Sequence, residues 1–216
     1  GTDGTLYVSG STANALDPVT GDPVVGWTVR AVTSATDLLP APSGPGFVQA
    51  GGNTIERIGP LTREWFYTEP NSTASNVAYF ANGEIAWAAI AAGQRFGYRF
   101  RPGDGSQVWS KSSATAFTSS ATLMTTDTKV IQPAAAGGPI YIQAFDATTG
   151  NISWGTSSGA SGFFASAAQH NDGTQLFVFE GNISIARYAL ADGARTQLTP
   201  QGSIPSFLVT DKDGWL

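Results

Sequence analysis

The chain has 216 residues, of which 41% are hydrophobic and 12% are charged, and it contains no cysteine. This composition can bury a sizeable core, and the missing thiol excludes disulfides, thiolate metal sites and cysteine nucleophiles. The net charge of −5, with eleven thinly spread Lys and Arg residues, argues against nucleic acid or an anionic membrane surface as a partner. No apolar run approaches the ~20 residues that insert across a bilayer.

In chain order, the first recurring element is a short polar turn that precedes an apolar strand. Asn-Gly and Asp-Gly pairs are typical of type I′ hairpins, in which both central residues have positive φ. We therefore predict a hairpin at each of these pairs, between two strands that we label A and B. The pairs are Asp3-Gly4, Asn82-Gly83, Asp172-Gly173 and Asp213-Gly214.

The second recurring element is a strand, a glycine-containing turn and a further strand that ends on a large residue. Its clearest copy is residues 144–154, Ala-Phe-Asp-Ala-Thr-Thr-Gly-Asn-Ile-Ser-Trp, and weaker copies occur along the whole chain. The copies repeat about every 43 residues, which is the size of a four-stranded propeller blade. They end on Trp27, Trp65, Trp109, Trp154 and Gln197.

Together the two elements predict an all-β fold, a single β-propeller domain over residues 1–216 with five four-stranded blades. The first blade lacks a strand A, whereas residues 204–210 form a strand A at the other end of the chain. We expect this C-terminal strand to join the N-terminal blade, because closing the ring removes free sheet edges. A part of a larger propeller is the alternative.

Residues 144–154 resemble the repeat of the PQQ-like, quinoprotein-type β-propellers, Ala-x-Asp-x-x-Thr-Gly-x-x-x-Trp. Residues 16–21 repeat its Leu-Asp-Pro-Val-Thr-Gly part, with Trp27 displaced two positions further on. The resemblance implies that the four tryptophans above pack between blades. The quinone-binding dehydrogenases of that family have more blades and, in several branches, a vicinal cysteine disulfide. This chain has neither feature, so the resemblance implies a docking platform without a cofactor.

Residues that carry chemistry are few and have structural explanations. The single histidine, His170, stands beside a predicted turn, and no Gly-x-Ser-x-Gly elbow occurs. Residues 211–214 hold half of a calcium-loop pattern without its distal Glu. Aspartates at turns cap their own backbone, which explains the carboxylates there. We therefore predict no catalytic, cofactor or metal residue. The turn aspartates are Asp17, Asp104, Asp146, Asp192 and Asp213.

Residues 91–101 concentrate the scarce positive charge beside three aromatic residues. On a strand, Arg95 and Arg99 share one face, whereas Tyr98 lies on the other. One interpretation is a blade strand with buried aromatic rings and solvated arginines. The other is a contact patch for an acidic partner or a sugar, formed by Arg95, Tyr98, Arg99 and Arg101, since Arg and Tyr are favoured interface anchors.

These observations predict a non-catalytic module that binds a protein partner. The low-charge surface, rich in Ser, Thr, Gly and Ala, suits an extracellular, cell-surface, periplasmic or virion-borne protein. A multivalent lectin with one sugar site per blade is the first alternative. An enzyme, either PQQ-dependent or hydrolytic, is the second, and the blade count and the absent site chemistry argue against it.

Overall fold

The computed structural model describes residues 4–28, 30–31, 37–116, 119–120, 123–135, 139–161, 164–170, 172–180 and 184–200. Every regular element within these ranges is a β-strand, and the strands pair into antiparallel sheets. The same ranges hold no helix with the length and apolar character that a membrane crossing needs. The prediction of an all-β chain is confirmed.

The chain consists of two compact units, residues 1–112 and 113–216. The first unit holds three sheets, and their strands follow one another in chain order. The first sheet contains β1 (Leu6–Ser9), β2 (Thr12–Leu16) and β3 (Arg30–Ala31). The second contains β4 (Asp37–Pro40), β5 (Phe47–Gly51), β6 (Thr54–Ile58) and β7 (Arg63–Thr68). The third contains β8 (Ser72–Tyr79), β9 (Ile85–Ala91), β10 (Gln94–Phe100) and β11 (Gln107–Ala116), whose last residues belong to the second unit.

The second unit holds two sheets. The fourth sheet contains β12 (Ser119–Ser120), β13 (Met124–Thr125), β14 (Lys129–Ala135), β15 (Pro139–Asp146) and β16 (Ile152–Ser161). Because β12 and β13 both pair with β14, they act as one interrupted strand. The fifth sheet contains β17 (Phe164–Gln169), β18 (Gln175–Glu180), β19 (Ser184–Ala189) and β20 (Arg195–Pro200).

The sheets reproduce the predicted repeat. The second to fifth sheets each contain strands A, B, C and D as an antiparallel meander, whereas the described residues of the first sheet form only B, C and D. The strand that was predicted to complete it, residues 204–210, lies outside the described residues, as does Asp213-Gly214. The one-domain prediction for residues 1–216 concerns how the two units combine, and it stays a prediction.

The A–B turns differ in type from the prediction. At Asn82-Gly83 only the glycine has positive φ, 81°, and its N–H donates to the Phe80 carbonyl at 2.9 Å. This is a type I turn followed by a left-handed glycine, not a type I′ turn. The Asn82 side chain explains the difference, because its Oδ1 accepts the Glu84 N–H at 3.1 Å and so caps the turn locally. Gly173, with φ 70°, likewise donates its N–H to the carbonyl three residues earlier, that of His170, at 2.9 Å.

The C–D turns share one geometry in four of the five sheets. In each, the loop has four residues, and the two residues that flank it are hydrogen-bonded to each other. The last loop residue is a glycine with φ between 68° and 76°. The glycine N–H donates to the carbonyl of the residue that precedes the loop, at 2.8–3.0 Å. A left-handed residue is required here, which explains why glycine recurs. The glycines are Gly21, Gly105, Gly150 and Gly193.

The cores lie between consecutive sheets of each unit. In the first unit, Trp87, Tyr98 and their neighbours fill the space between the second and third sheets, and a smaller cluster joins the first sheet to the second. In the second unit, a cluster around Trp154 and Tyr188 joins the fourth sheet to the fifth. Trp65, Trp109 and Trp154 are 7–9% exposed, as expected of core tryptophans, whereas Trp27, for which the same was predicted, is only half-buried.

Two tryptophans pack on the C–D turn of the next sheet in the same way. The Trp65 indole donates to the Pro102 carbonyl at 3.0 Å, and the Trp154 indole donates to the Leu190 carbonyl at the same distance. Each ring lies against the left-handed glycine of that turn. A Cβ on Gly105 would lie 2.6 Å from the Trp65 ring, and one on Gly193 would lie 2.5 Å from the Trp154 ring. Only glycine fits either position.

We predict that Gly105→Ala lowers the free energy of unfolding by about 2 kcal/mol or more, because it adds both a left-handed alanine and a clash with Trp65. Gly103→Ala is the matched control, since it lies in the same turn with nothing within 4 Å of its Cβ position. This control should stay within about 0.5 kcal/mol of the parent. Urea unfolding measures both, and equal losses in the two variants would contradict the Trp–glycine contact.

Candidate binding site

The predicted contact patch on β10 does not form one surface. Arg95 and Tyr98 are each 1% exposed, so the prediction that they contact a partner is wrong. The reason is that the neighbouring strand β9 is buried along its whole length, and β10 lies beside it in the interior of the sheet. Strands that are covered on both faces bury whatever they carry. Burial lowers the pKa of the Arg95 guanidinium to about 9.

The other two patch residues have different environments. Arg99 forms an ion pair with Glu84, and its guanidinium lies 4.6 Å from the centre of the Phe80 ring. Arg101 is exposed and donates to the Ser106 hydroxyl at 3.3 Å. The expectation of solvated arginines therefore fails for Arg95, whereas the expectation of buried aromatic rings is confirmed for Tyr98 and Phe100.

The polar residues at turns have local structural tasks. His170 Nδ1 lies 2.9 Å from the Asp172 carboxylate, and its ring packs 6.1 Å from Phe177. Backbone N–H groups of Thr149 and Thr148 hold the pKa of Asp146 below its usual value, and equivalent bonds lower the pKa of Asp17, Asp104 and Asp172. A general acid needs a raised pKa, so these carboxylates have the opposite character.

Two buried carboxylates lie on strands, away from the turns. Glu180 is 0% exposed and accepts bonds from the Tyr188 hydroxyl and from Arg195 Nε at 3.0 Å. This bond raises the pKa of the Arg195 guanidinium. Glu56, 1% exposed, accepts the Gln49 amide at 2.6 Å and pairs with Arg63 at 3.1 Å. Both carboxylates are thus neutralised by an arginine of strand D. Among the described residues, no group of three His, Asp or Glu side chains could hold a metal.

A polar pocket of about 530 Å³ lies in the second unit, between the A–B turns of the fourth and fifth sheets. Hydroxyl, amide and carboxylate groups line it, which is the chemistry that binds water and polyols. We call it the Asp127 pocket. Its lining residues are Thr125, Thr126, Asp127, Thr128, Gln169, Asp172 and Gly173.

An apolar pocket of about 460 Å³ lies in the first unit, between the first and second sheets. Val25 and Leu61 on its wall are 99% and 71% exposed, which is unusual for large apolar side chains that lie together. We call it the Trp27 pocket. Its lining residues are Thr5, Tyr7, Ala15, Val24, Val25, Gly26, Trp27, Pro45, Pro60 and Leu61.

The walls of the Trp27 pocket are held by specific contacts. The half-buried Trp27 ring stacks on Phe47 at 6.0 Å and packs against Tyr7 at 5.5 Å. The Tyr7 hydroxyl accepts the Gly46 N–H at 2.7 Å. Gly46 has φ 118°, and a Cβ there would meet the Ile58 carbonyl at 2.3 Å, so the chain is fixed at this point. Rings and prolines on a fixed backbone provide a preformed surface.

In the sequence, the residues of this pocket appear as departures from the repeat. Trp27 stands two positions beyond its expected place, and the C–D turn of the second sheet is a poor copy of the motif. In the structure, both departures line the same pocket, to which Trp27, Pro60 and Leu61 all belong. A departure from an otherwise regular repeat thus marks the site.

Comparison with solved structures identifies the fold. The chain superposes on the Cps50 (Swd1) β-propeller domain of Myceliophteria thermophila with a TM-score of 0.65, at 12% identity over 93% of this chain and 70% of that one. Hsv2 of Kluyveromyces lactis gives 0.62, at 14% identity over 92% of this chain and 68% of that one. Hsv2 of Kluyveromyces marxianus gives 0.60, at 14% identity over 86% of this chain.

These likenesses concern the fold alone, and they confirm its β-propeller character. The chain spans 60% of the length of the Kluyveromyces marxianus protein. No family model matches the sequence, and a search of curated proteins gives no match either.

Proposed function

We propose that the chain is a non-catalytic β-propeller module that binds a protein partner at the Trp27 pocket. The observation that carries the proposal is the group of highly exposed apolar side chains, Val25 and Leu61, on the wall of an aromatic- and proline-lined pocket. Concave apolar sites with rigid rings are typical of binding hot spots. Burying one such side chain fully contributes about 1.5–3 kcal/mol, so a partner gains from covering both.

We predict that Leu61→Asp and Val25→Asp abolish binding of peptides selected on the parent protein, because a carboxylate in the pocket must be desolvated. A random peptide library displayed on phage supplies the ligands, and biolayer interferometry measures their affinity. Val19→Asp is the matched control, since Val19 is 90% exposed on the same loop but does not line the pocket.

We expect the two pocket variants to bind the peptides at least tenfold more weakly than the parent protein does. The affinity of the control variant should be unchanged. All three positions are exposed, so the variants should unfold at the same temperature as the parent. Selected peptides that bind the three variants equally, or a library that yields no binder, would overturn the proposal.

We further propose that the five sheets are five blades of one closed ring, in which residues 204–210 form strand A beside β1. Within the described part of the chain the first sheet has no strand A, which supports this arrangement. So do Leu6 and Val8, which leave apolar surface 49% and 44% exposed on the face of β1 opposite the buried Tyr7. A closed ring covers such a face. We also propose that the chain belongs to the PQQ-like repeat family, and the recurring turn glycine and tryptophan support this assignment.

We predict that either Leu208→Pro or Val209→Pro lowers the melting temperature by about 5 °C or more. Neighbouring residues of a strand direct their N–H groups to opposite sides, so one of the two must donate to β1, and proline removes that bond. Lys212→Pro, outside the strand, is the control and should have little effect. Calorimetry on the full chain measures all three, and an unchanged melting temperature in both strand variants would contradict the closure.

Glycan binding is a second candidate function, and the Asp127 pocket favours it. Carboxylate, amide and hydroxyl groups converge there on a volume large enough for a monosaccharide. If it binds sugar, Asp127→Asn should weaken a signal on a glycan array about tenfold, because a charged acceptor is lost. Asp22→Asn changes an exposed aspartate of the other unit and should leave the signal intact. The absence of any signal from the parent protein would exclude this candidate.

A further inference from the structure

The four regular C–D turns share a composition as well as a geometry. Their loops read Pro-Val-Thr-Gly at 18–21, Pro-Gly-Asp-Gly at 102–105, Ala-Thr-Thr-Gly at 147–150 and Leu-Ala-Asp-Gly at 190–193. The first residue is always apolar, the third is Thr or Asp, and the last is the left-handed glycine. Where the third residue is Asp, its side chain caps the residue that follows the loop. Asp104 accepts the Ser106 N–H at 2.9 Å, and Asp192 accepts the Ala194 N–H at 2.9 Å.

Two of these turns pack against a tryptophan from the preceding sheet. The loop at 102–105 gives Trp65 its first carbonyl and its last glycine, and the loop at 190–193 does the same for Trp154. Each unit therefore contains one complete example of a tryptophan that recognises an apolar-x-Asp-Gly turn. The contact is made by the ring face, the indole N–H and the bare Cα of glycine.

The second sheet departs from this arrangement. Its C–D turn is closed by the Gly59 N–H, which donates to the Thr62 carbonyl at 3.0 Å, so only Pro60 and Leu61 remain in the loop. The loop is two residues shorter than the other four. Trp27 belongs to the sheet before this turn, and the Trp27 pocket opens between the ring and the two loop residues. The pocket thus lies at the position where a longer turn packs against Trp65 and against Trp154.

We propose that the Trp27 pocket accepts an exposed reverse turn of a partner protein, with the sequence apolar-x-Asp-Gly and a basic residue beside it. This inference rests on the proposed function and names its ligand. The apolar residue would cover Leu61 and Val25, and the glycine would approach the Trp27 ring, as in the two internal examples. The volume of about 460 Å³ is within the usual range for a ligand of that size.

The negative charge near the pocket is the reason for proposing a basic residue beside the partner's turn. Asp17 and Asp22 are exposed on the loop that leads into the pocket wall at Val24 and Val25. The whole chain carries a net charge of −5. A Lys or Arg next to the turn therefore complements the rim and steers the encounter. The internal turn at 102–105 already has this form, because Arg101 precedes it.

A separate protein fits this site better than a second copy of the chain. The turns of the chain that match the sequence, at 102–105 and 190–193, are already packed against Trp65 and Trp154. A second copy would have to release one of them, at the expense of its own core. A partner that displays the turn on its surface can place its glycine against the Trp27 ring without that loss.

The test uses a cyclic peptide that carries residues 100–107, closed through added terminal cysteines so that the turn is preorganised. We expect saturable binding to the full chain, seen as a shift of the Trp27 indole N–H resonance, with a dissociation constant of about 10⁻⁴ M. The same peptide with the Gly105→Ala change should bind about tenfold more weakly, because alanine adds a Cβ toward the ring at positive φ. Leu61→Asp in the protein should abolish the shift, and Val19→Asp should leave it unchanged.

The outcomes separate this inference from the proposed function. If library peptides bind the pocket but the cyclic turn does not, or if its Gly105→Ala form binds equally well, the turn is not the ligand and the inference fails alone. If neither binds, the proposed function fails as well. A dimer in sedimentation velocity that Leu61→Asp abolishes would assign the pocket to a second copy and would also overturn the inference.

Discussion

The contact of a tryptophan with a left-handed glycine is the interaction on which the rest of the structure depends. The glycine is first required inside its own sheet, because the four-residue C–D loop closes only with a residue at φ near 70°. The same missing Cβ then lets Trp65 reach Gly105 and Trp154 reach Gly193. One residue therefore couples hairpin closure within a sheet to packing between sheets, and the indole bond to the turn carbonyl fixes the register of the two.

The Trp27 pocket forms because a different set of contacts replaces the tryptophan–glycine contact between the first and second sheets. The shorter turn of the second sheet moves its carbonyl to a different partner, since Pro60 accepts the Thr28 N–H at 2.9 Å. Trp27 instead donates to the Ala13 carbonyl of its own sheet at 3.3 Å and stacks on Phe47. The ring is still held on one side by its packing, while the apolar surface that a longer turn covers elsewhere faces solvent at Val25 and Leu61.

The sequence predicts the features that local chemistry decides. Turn glycines, capping aspartates and a tryptophan recur because each repeat forms the same hairpins, so the strands of the described sheets and the positions of their turns were predictable, but the type of the A–B turns was not. The failures involve neighbours in space. Arg95 was predicted on the surface because alternation along one strand does not reveal that both faces are covered. Glu180 and Arg195 are 15 residues apart, and only the pairing of the strands between them brings them together.

The chemistry-bearing side chains of the described regions are largely used to build the fold, and this bears on function. Backbone N–H groups lower the pKa of the turn carboxylates Asp17, Asp104, Asp146 and Asp172. The deeply buried Glu56 and Glu180 are compensated by Arg63 and Arg195. Removing either arginine would leave an uncompensated buried charge, which is costly, so these pairs are bound to structural roles. The apolar side chains at the Trp27 pocket have no such role, because Val25 and Leu61 stabilise little while they face water. Exposed apolar side chains carry a cost in solubility, which binding of the proposed partner would offset.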